Sequence, residues 1–367
     1  MNKLSLFFML IFTLFLLTGC FDKTELENSS FVLAVGFDKD SVSLGFPEVS
    51  NDGGGSEESK GDKKDKNVLT AEGLNAAYCI DEIDGCLTGE LDLSQAKVCV
   101  IGSDVLKDEK RFKEVIDYVE RNNEISRRVI ILAAEDKSSD ILNAKSSQSE
   151  MPGLFAADFY NNNVKNTDYT FKKDLQEVIT DILETGTTVI PQVYSKDDEL
   201  KLEGAVVIKD YSLKGVLNDK ETRCYTLFTQ KDFGGFINTE KKGVNISAKV
   251  KDKKISSVIS EDSDGLVINV KANIKGEIYE NSKLYSDEYI QSVLSEKVSE
   301  DIKDCFELFM KKFKIDAIGI NELCEKKYTD IYSKYKDNWN EAFVKMKVNV
   351  ETDFKITGSG SIKEMSV

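Results

Sequence analysis

The first half of the chain alternates short apolar runs with segments of helical periodicity. Strands that alternate with helices of this length indicate βαβ units, and therefore a parallel or mixed sheet. The predicted strands are 31–37, 43–49, 97–101 and 128–132, and the predicted helices are near 73–83, 109–122, 139–144 and 171–184.

Beyond Gly186 and Pro191 the pattern changes, because apolar and polar residues now alternate along several segments. This period of two predicts half-buried antiparallel strands. The predicted strands are 200–208, 211–216, 244–250, 255–259 and 266–279, with one short helix near 219–228.

The strongest helical pattern lies at 286–313, where apolar side chains recur in steps of three and four and form one stripe. The stripe consists of Tyr289, Ile290, Val293, Leu294, Val298, Ile302, Phe306, Phe309 and Phe313. A second helix near 322–338 and a strand at 343–356 follow. We expect the stripe to pack on a sheet built from strands on both sides of it in sequence; the alternative is a stripe that binds a partner.

Together these elements predict a multi-domain α+β or mixed α/β fold, with mixed sheets flanked by helices and a carboxyl-terminal sheet on one long helix. The predicted divisions are a signal peptide at 1–19, an α/β domain at 20–186, a middle α+β domain at 187–265 and a carboxyl-terminal α+β domain at 266–367. Residues 50–67 are rich in Gly, Ser, Lys and Asp and predict a disordered loop, because they have almost nothing apolar to bury.

The amino terminus has the pattern of a lipoprotein signal peptide. Lys3 precedes an apolar segment at 4–17, and Leu-Thr-Gly at 17–19 leads to Cys20. Cleavage between Gly19 and Cys20 would leave Cys20 as an S-diacylglycerol cysteine, whose amino group can also be acylated. The alternative is a short transmembrane helix, but an apolar stretch of about 14 to 17 residues is below the roughly 20 that cross a bilayer. We therefore expect a protein anchored on the extracytoplasmic face.

Charge and composition narrow the possible chemistry. The net charge of −16 excludes nucleic acid as a partner, since phosphate binding needs a basic face. The chain has no histidine, which removes the usual general base and the commonest metal ligand. We predict no catalytic residue, no cofactor and no metal; a calcium site at 261–264 is the weak alternative, because the twelve-residue spacing is missing.

Six cysteines remain after Cys20, and their scattered positions predict small buried thiols rather than a disulfide framework. They are Cys79, Cys86, Cys99, Cys224, Cys305 and Cys324. A disulfide between Cys79 and Cys86 is the alternative.

Three blocks of residues carry a resemblance to a known family. The first is Gly-Cys-Phe-Asp at 19–22 with Gly-Phe-Asp at 36–38, where Phe21 replaces the family's tryptophan. The second is Leu-Glu-Gly-Ala-Val-Val-Ile at 202–208 with Glu-Thr at 221–222. The third is Asp-Ala-Ile-Gly at 316–319, followed by Trp339, Val348, Val350 and Gly358, with Ile320 where a second glycine is common. In this order they resemble the C-subunit lipoprotein of spore germinant receptors, the Ger(x)C family.

The resemblance implies a non-catalytic subunit at the spore inner membrane, beside A-type and B-type integral membrane subunits that respond to nutrients. It assigns one functional residue, Cys20, and no site for a small-molecule ligand. The alternative functions are an extracytoplasmic solute-binding lipoprotein of a transporter and, less favoured, a carboxylate-based enzyme. The first of these needs two similar lobes around a cleft, which the element pattern does not predict.

Overall fold

The computed structural model describes residues 28–47, 67–144, 152–163, 167–196, 199–231, 233–241, 244–281 and 285–359. The predicted signal peptide, Cys20 and residues 50–66 of the predicted loop lie outside them. The strands of the first half are β1 (Ser29–Phe31), β2 (Ala34–Phe37), β3 (Ser41–Gly45), β4 (Val68–Glu72), β5 (Glu90–Asp92), β6 (Val98–Ile101), β7 (Ile130–Ala134), β8 (Thr187–Lys196), β9 (Glu199–Lys209) and β10 (Ser212–Leu217). Its helices are α1 (Ala76–Asp84), α2 (Ser103–Leu106), α3 (Glu109–Arg121), α4 (Ser138–Asn143), α5 (Pro152–Asn163) and α6 (Leu175–Thr185).

The second half begins with helix α7 and contains four further strands. The strands are β11 (Phe236–Lys241), β12 (Val244–Asp262), β13 (Gly265–Asn281) and β14 (Lys347–Ser359). The helices are α7 (Asp219–Thr229), α8 (Asp287–Glu307) with a π-helical turn at Leu308–Phe313, α9 (Ile320–Lys327), α10 (Thr329–Tyr335) and α11 (Trp339–Lys345). The described residues combine many helices with sheets that contain both parallel and antiparallel strands. This arrangement confirms the predicted α+β or mixed α/β fold class.

The eight-stranded sheet has the strand order β10-β9-β8-β7-β6-β2-β3-β4. Its centre, β2, β6, β7 and β8, is parallel, and antiparallel strands flank it on both sides. Alternate side chains of β6 enter two separate cores, so that Cys99 packs with α1, α3 and α6 whereas Val98 and Val100 pack with α4 and α5. A sheet covered on both faces explains why these strands are continuous apolar runs.

Three strands from the predicted middle domain, β8–β10, belong to the eight-stranded sheet. Pro191 lies inside β8 rather than ending a segment. The register between β8 and β9 shifts between Pro191 and Val193, and such a bulge is where a residue without an N–H fits a strand.

The four-stranded sheet has the order β11-β12-β13-β14. β12 and β13 form a long antiparallel hairpin, and β14 lies parallel to β13 after the chain has crossed through α8. Seven of the nine predicted stripe residues are buried, and Tyr289 and Phe313 pack against the same core. The prediction that the long helix packs on a sheet built from both sides of it is confirmed.

Side chains of α8 also protect the outer edge of β14. Phe354 N donates to Ser295 Oγ at 2.9 Å, and Ile356 N donates to Gln291 Oε1 at 3.1 Å. An edge strand whose N–H groups are bonded in this way offers fewer free hydrogen-bond donors to a strand of another chain.

Some predicted element boundaries were wrong. β12 continues from 244 to 262, because a register shift between Val250 and Asp252 carries it through a polar stretch that resembled a turn. The predicted helix 322–338 is broken at Tyr328, whose φ of −134° is not helical. Phe343 belongs to α11, and the last strand begins only at Lys347.

The six cysteines are free, so the alternative of a Cys79–Cys86 disulfide is not formed. Five of them are buried as predicted, whereas Cys86 is exposed in the turn after α1. Its thiol donates to the carbonyl of Glu82 at 3.4 Å. Cys86 is therefore the accessible thiol of the described residues.

Candidate functional site

The predicted lipidation site, Cys20 with cleavage after Gly19, lies outside the described residues. The structure does describe most of the three sequence blocks, and their side chains show how the parts of the fold are joined. Each block contributes polar contacts between segments that are far apart in sequence.

In the first block, Asp38 directly follows β2 and is almost fully buried. Its carboxylate accepts the N–H groups of Ser138 at 2.7 Å and Ser139 at 3.1 Å, which begin helix α4. The neighbouring backbone is close: a Cβ at Gly102 would lie 2.2 Å from Asp38 Oδ1, and one at Gly36 would lie 2.8 Å from Ser138 Oγ. The Gly-Phe-Asp segment therefore ties a central strand to a helix on one face of the sheet.

The second block forms β9, β10 and the first turn of α7. Asn218 and Glu221 form a capping box, in which each side chain accepts the other residue's backbone N–H. Glu221 also bonds Lys312 Nζ at 2.6 Å, and Lys312 lies in the π-helical turn after α8. The block thus connects the eight-stranded sheet to the end of the long helix.

The third block centres on Asp316, which is 7% exposed. Its carboxylate accepts N–H groups from Ile318 at 3.3 Å, Ile320 at 3.2 Å and Asn321 at 2.6 Å, and Trp339 Nε1 at 2.9 Å. Burial raises the pKa of Asp316, while its donors act in the opposite direction. The structure therefore brings together the Asp-x-x-Gly turn and the tryptophan of this block.

A cleft separates this turn from the eight-stranded sheet. Asp316, Asn321 and Trp339 line one side, and Thr185 and Thr187, at the end of α6 and the start of β8, line the other. The larger part of the cleft has a volume of about 340 Å³.

Helix α7 lies between the two sheets and is held by charged side chains at both ends. Arg223 binds Asp168 at 2.7 Å and Asp219 at 3.0 Å. At the carboxyl end, Lys253 of β12 donates to the carbonyls of Thr226 at 3.3 Å and Leu227 at 2.5 Å, and also to that of Gln230. Burial lowers the pKa of Lys253 to about 7.

Acidic side chains lie both at the surface and in the interior of the fold. Glu261, Asp262 and Asp264 are at the surface, but Lys334 binds Glu261 and Lys347 binds the two aspartates. Asp38, Asp168 and Asp316 are buried instead. They face N–H donors or a guanidinium, which suits them to fixed structural contacts. One group of possible metal ligands is found among the described residues, namely Cys224, Asp301 and Asp304.

Two family models match consecutive parts of the chain. The first, described as spore germination protein N-terminal domain, matches residues 22–194. The second, described as spore germination B3/GerAC like, C-terminal, matches residues 203–360. The chain belongs to the Ger(x)C family of spore germination proteins. The resemblance predicted from the three blocks is confirmed.

Several proteins of Bacillus subtilis (strain 168) are similar to this Ger(x)C protein over nearly their whole length. Spore germination protein YndF is 24% identical, with 94% of each chain covered. Spore germination protein B3 is 22% identical over 99% of this chain and 100% of the relative. The crystal structure of the GerBC protein matches with a TM-score of 0.61 at 17% identity, over 92% of this chain and 100% of that chain, which shows a shared fold.

Among the described residues, no helix has the length and hydropathy needed to cross a bilayer. The buried Asp316, the buried Lys253 and the Arg223–Asp168 pair were missed by the sequence analysis. Only the first had a local signal, an aspartate three residues before a glycine in the left-handed region at φ 77°.

Proposed function

We propose that this protein is the lipid-anchored, non-catalytic C-subunit of a spore nutrient germinant receptor. It acts in germination beside A-type and B-type integral membrane subunits. The observation that carries the proposal is the pair of family matches, which together extend from residue 22 to residue 360. The matching relatives are themselves named as spore germination proteins.

The anchor is the diacylglycerol thioether of Cys20, formed before cleavage after Gly19. Two acyl chains hold a protein at a bilayer essentially permanently, at about 0.8 kcal/mol for each buried methylene. The folded part of the chain then lies on the extracytoplasmic face of the spore inner membrane, next to the integral subunits.

The subunit acts by contact and conformational coupling rather than by turnover. The chain has no histidine, and the buried carboxylates of Asp38 and Asp316 already accept two and four N–H groups. The four donors occupy the lone-pair sites of Asp316, and both oxygens of Asp38 hold the start of α4, so neither carboxylate is placed to abstract a proton.

The anchor is tested by replacing Cys20 and comparing spore membrane fractions. Cys20→Ala is expected to abolish labelling by an alkyne fatty acid and to release the protein from salt-washed membranes. Cys86→Ala is the matched control, because Cys86 is the exposed thiol of the described residues and should leave both labelling and retention unchanged. Retention of unlabelled Cys20→Ala protein would contradict the lipid anchor.

The partners are tested separately by affinity capture of the lipidated protein from detergent-solubilised spore membranes. The expected result is co-purification of A-type and B-type integral subunits at comparable amounts. Recovery with the permease and ATPase of a transporter, or recovery alone after crosslinking in the membrane, would contradict the receptor assignment whatever the outcome for Cys20.

A further inference from the structure

Helices α7 and α8 bring three side chains together that can bind one metal ion. Cys224 comes from α7, and Asp301 and Asp304 come from α8, three residues apart and therefore on the same face of that helix. One ligand atom from each of the three lies within 4.8 Å of the other two. Atoms this close can converge on a single cation after small side-chain adjustments, since zinc–ligand bonds are about 2.0 to 2.3 Å long.

The thiol of Cys224 is buried beside the two carboxylates. Cys224 is 5% exposed, and its sulfur makes no hydrogen bond with any residue that the structure describes. Lys297 and Lys220 lie beside the two aspartates. A cation placed between this sulfur and the two carboxylates would receive one ligand atom from each of the three side chains.

The two lysines leave room for a metal ion. Lys297 binds Asp301 through Oδ1, and Lys220 binds Asp304 through Oδ2 at 3.3 Å. A carboxylate offers two oxygens and about four lone-pair sites, so each aspartate can keep its lysine while its other oxygen turns to a cation. A cavity of about 360 Å³ adjoins the cluster, and its lining includes Cys224 and Asp301 as well as Arg223 and both lysines.

We propose that Cys224, Asp301 and Asp304 bind one zinc-class divalent cation, with water as the fourth ligand. A thiolate selects borderline and soft metals, whereas Mg²⁺ and Ca²⁺ prefer oxygen ligands alone. The thiol releases its proton to solvent when the Zn–S bond forms. The bound ion crosslinks α7, which follows the eight-stranded sheet, to α8, which packs on the four-stranded sheet.

The test uses the full-length lipidated protein in detergent, stripped with a chelator and titrated with Co²⁺ as a spectroscopic probe for Zn²⁺. The expected result is a cobalt–thiolate charge-transfer band that saturates at one ion per chain and is displaced by Zn²⁺ but not by Ca²⁺. Asp304→Asn should retain the fold, because half of that side chain is exposed, and should weaken Zn²⁺ binding by at least about tenfold, as even indirect changes to metal sites do. Cys224→Ser should remove the band.

Two matched controls should leave the titration unchanged: Cys86→Ser, an exposed thiol elsewhere, and Glu300→Gln, an exposed acid on α8. Folding of each variant is checked by circular dichroism before titration. The proposal is overturned by the absence of a thiolate band in the wild type, by a band that persists in folded Cys224→Ser, or by Zn²⁺ affinity that is equal in wild type and Asp304→Asn.

Discussion

The two main sheets bury their strands in different ways. Central strands of the eight-stranded sheet, such as β6 and β7, are buried at every position because helices cover both faces. In the four-stranded sheet, β13 alternates between buried and more exposed positions, since α8 covers one face only. The difference shows why continuous apolar runs and alternating runs occur in one chain.

The two sheets also differ in what their cores depend on. Several helices share the covering of the eight-stranded sheet, whereas α8 supplies many of the large side chains of the other core. That second core extends to Val189 and Val207 of β8 and β9, so it reaches across to the larger sheet. A change in α8 should therefore act mainly, but not only, on the four-stranded sheet.

The largest effect is expected for Phe306→Ala, which removes a fully buried ring of α8 that contacts Phe228 at 4.9 Å between ring centroids. The free energy of unfolding should fall by about 3 to 5 kcal/mol, as for other buried aromatic residues. Hydrogen exchange should accelerate in β12 and β13 more than in β2 and β6, because local stability follows local packing.

Val258→Ala is the control for this change, because Val258 lies on the same sheet but is 54% exposed. It should alter the free energy of unfolding by less than about 0.5 kcal/mol. Equal acceleration of exchange in both sheets after Phe306→Ala would show that they unfold as one unit and would remove the distinction drawn here.

A smaller effect is expected for Asp316→Asn, at the cleft between the sheets. Each carboxylate oxygen of Asp316 accepts two of the four N–H groups, so the amide keeps one acceptor oxygen but places its NH₂ group against the other two donors. Unpaired buried donors cost about 1 to 3 kcal/mol, and we expect a loss of about 2 to 3 kcal/mol by chemical denaturation. Asp337→Asn, at an exposed position of the same region, should be nearly neutral; an equal loss there would contradict the role of Asp316.

Much of the fold follows from local patterns, whereas the polar junctions do not. The local spacing of apolar residues indicates which side chains are buried in the stripe of 286–313 and in the apolar strands. These elements could therefore be predicted. The break at Tyr328 has no proline or glycine near it that would mark it in the sequence. Likewise, Asp316 meets Trp339 across 23 residues, and nothing near either residue indicates the pairing.

The candidate sites show the same contrast. Lipidation at Cys20, which stays a prediction, could be predicted from the sequence because a lipoprotein signal is a contiguous motif. The cluster of Cys224, Asp301 and Asp304 could not, since it exists only after α7 packs on α8. Lys253 lies in the polar stretch 251–254, whose sequence resembles that of a solvated turn. In the structure its side chain instead donates to carbonyl groups of α7.

Per pH unit the smallest effect is that of Lys253, whose pH dependence probes the joint between the sheets. Its pKa falls from the usual 10.5 to about 7 on burial, so between these values the unfolded chain binds more protons than the folded one. The free energy of unfolding therefore rises with pH in this window, by up to about 1.4 kcal/mol per pH unit.

Lys253→Met lacks this contribution. In denaturant titrations, the free energy of unfolding of the wild type should therefore increase relative to that of Lys253→Met between pH 7 and pH 9. Lys254→Met, at the exposed neighbour, should run parallel to the wild type. A constant difference between wild type and Lys253→Met would mean that the three carbonyls of α7 keep the ammonium charged, and that the joint between the sheets is held by a permanent cation.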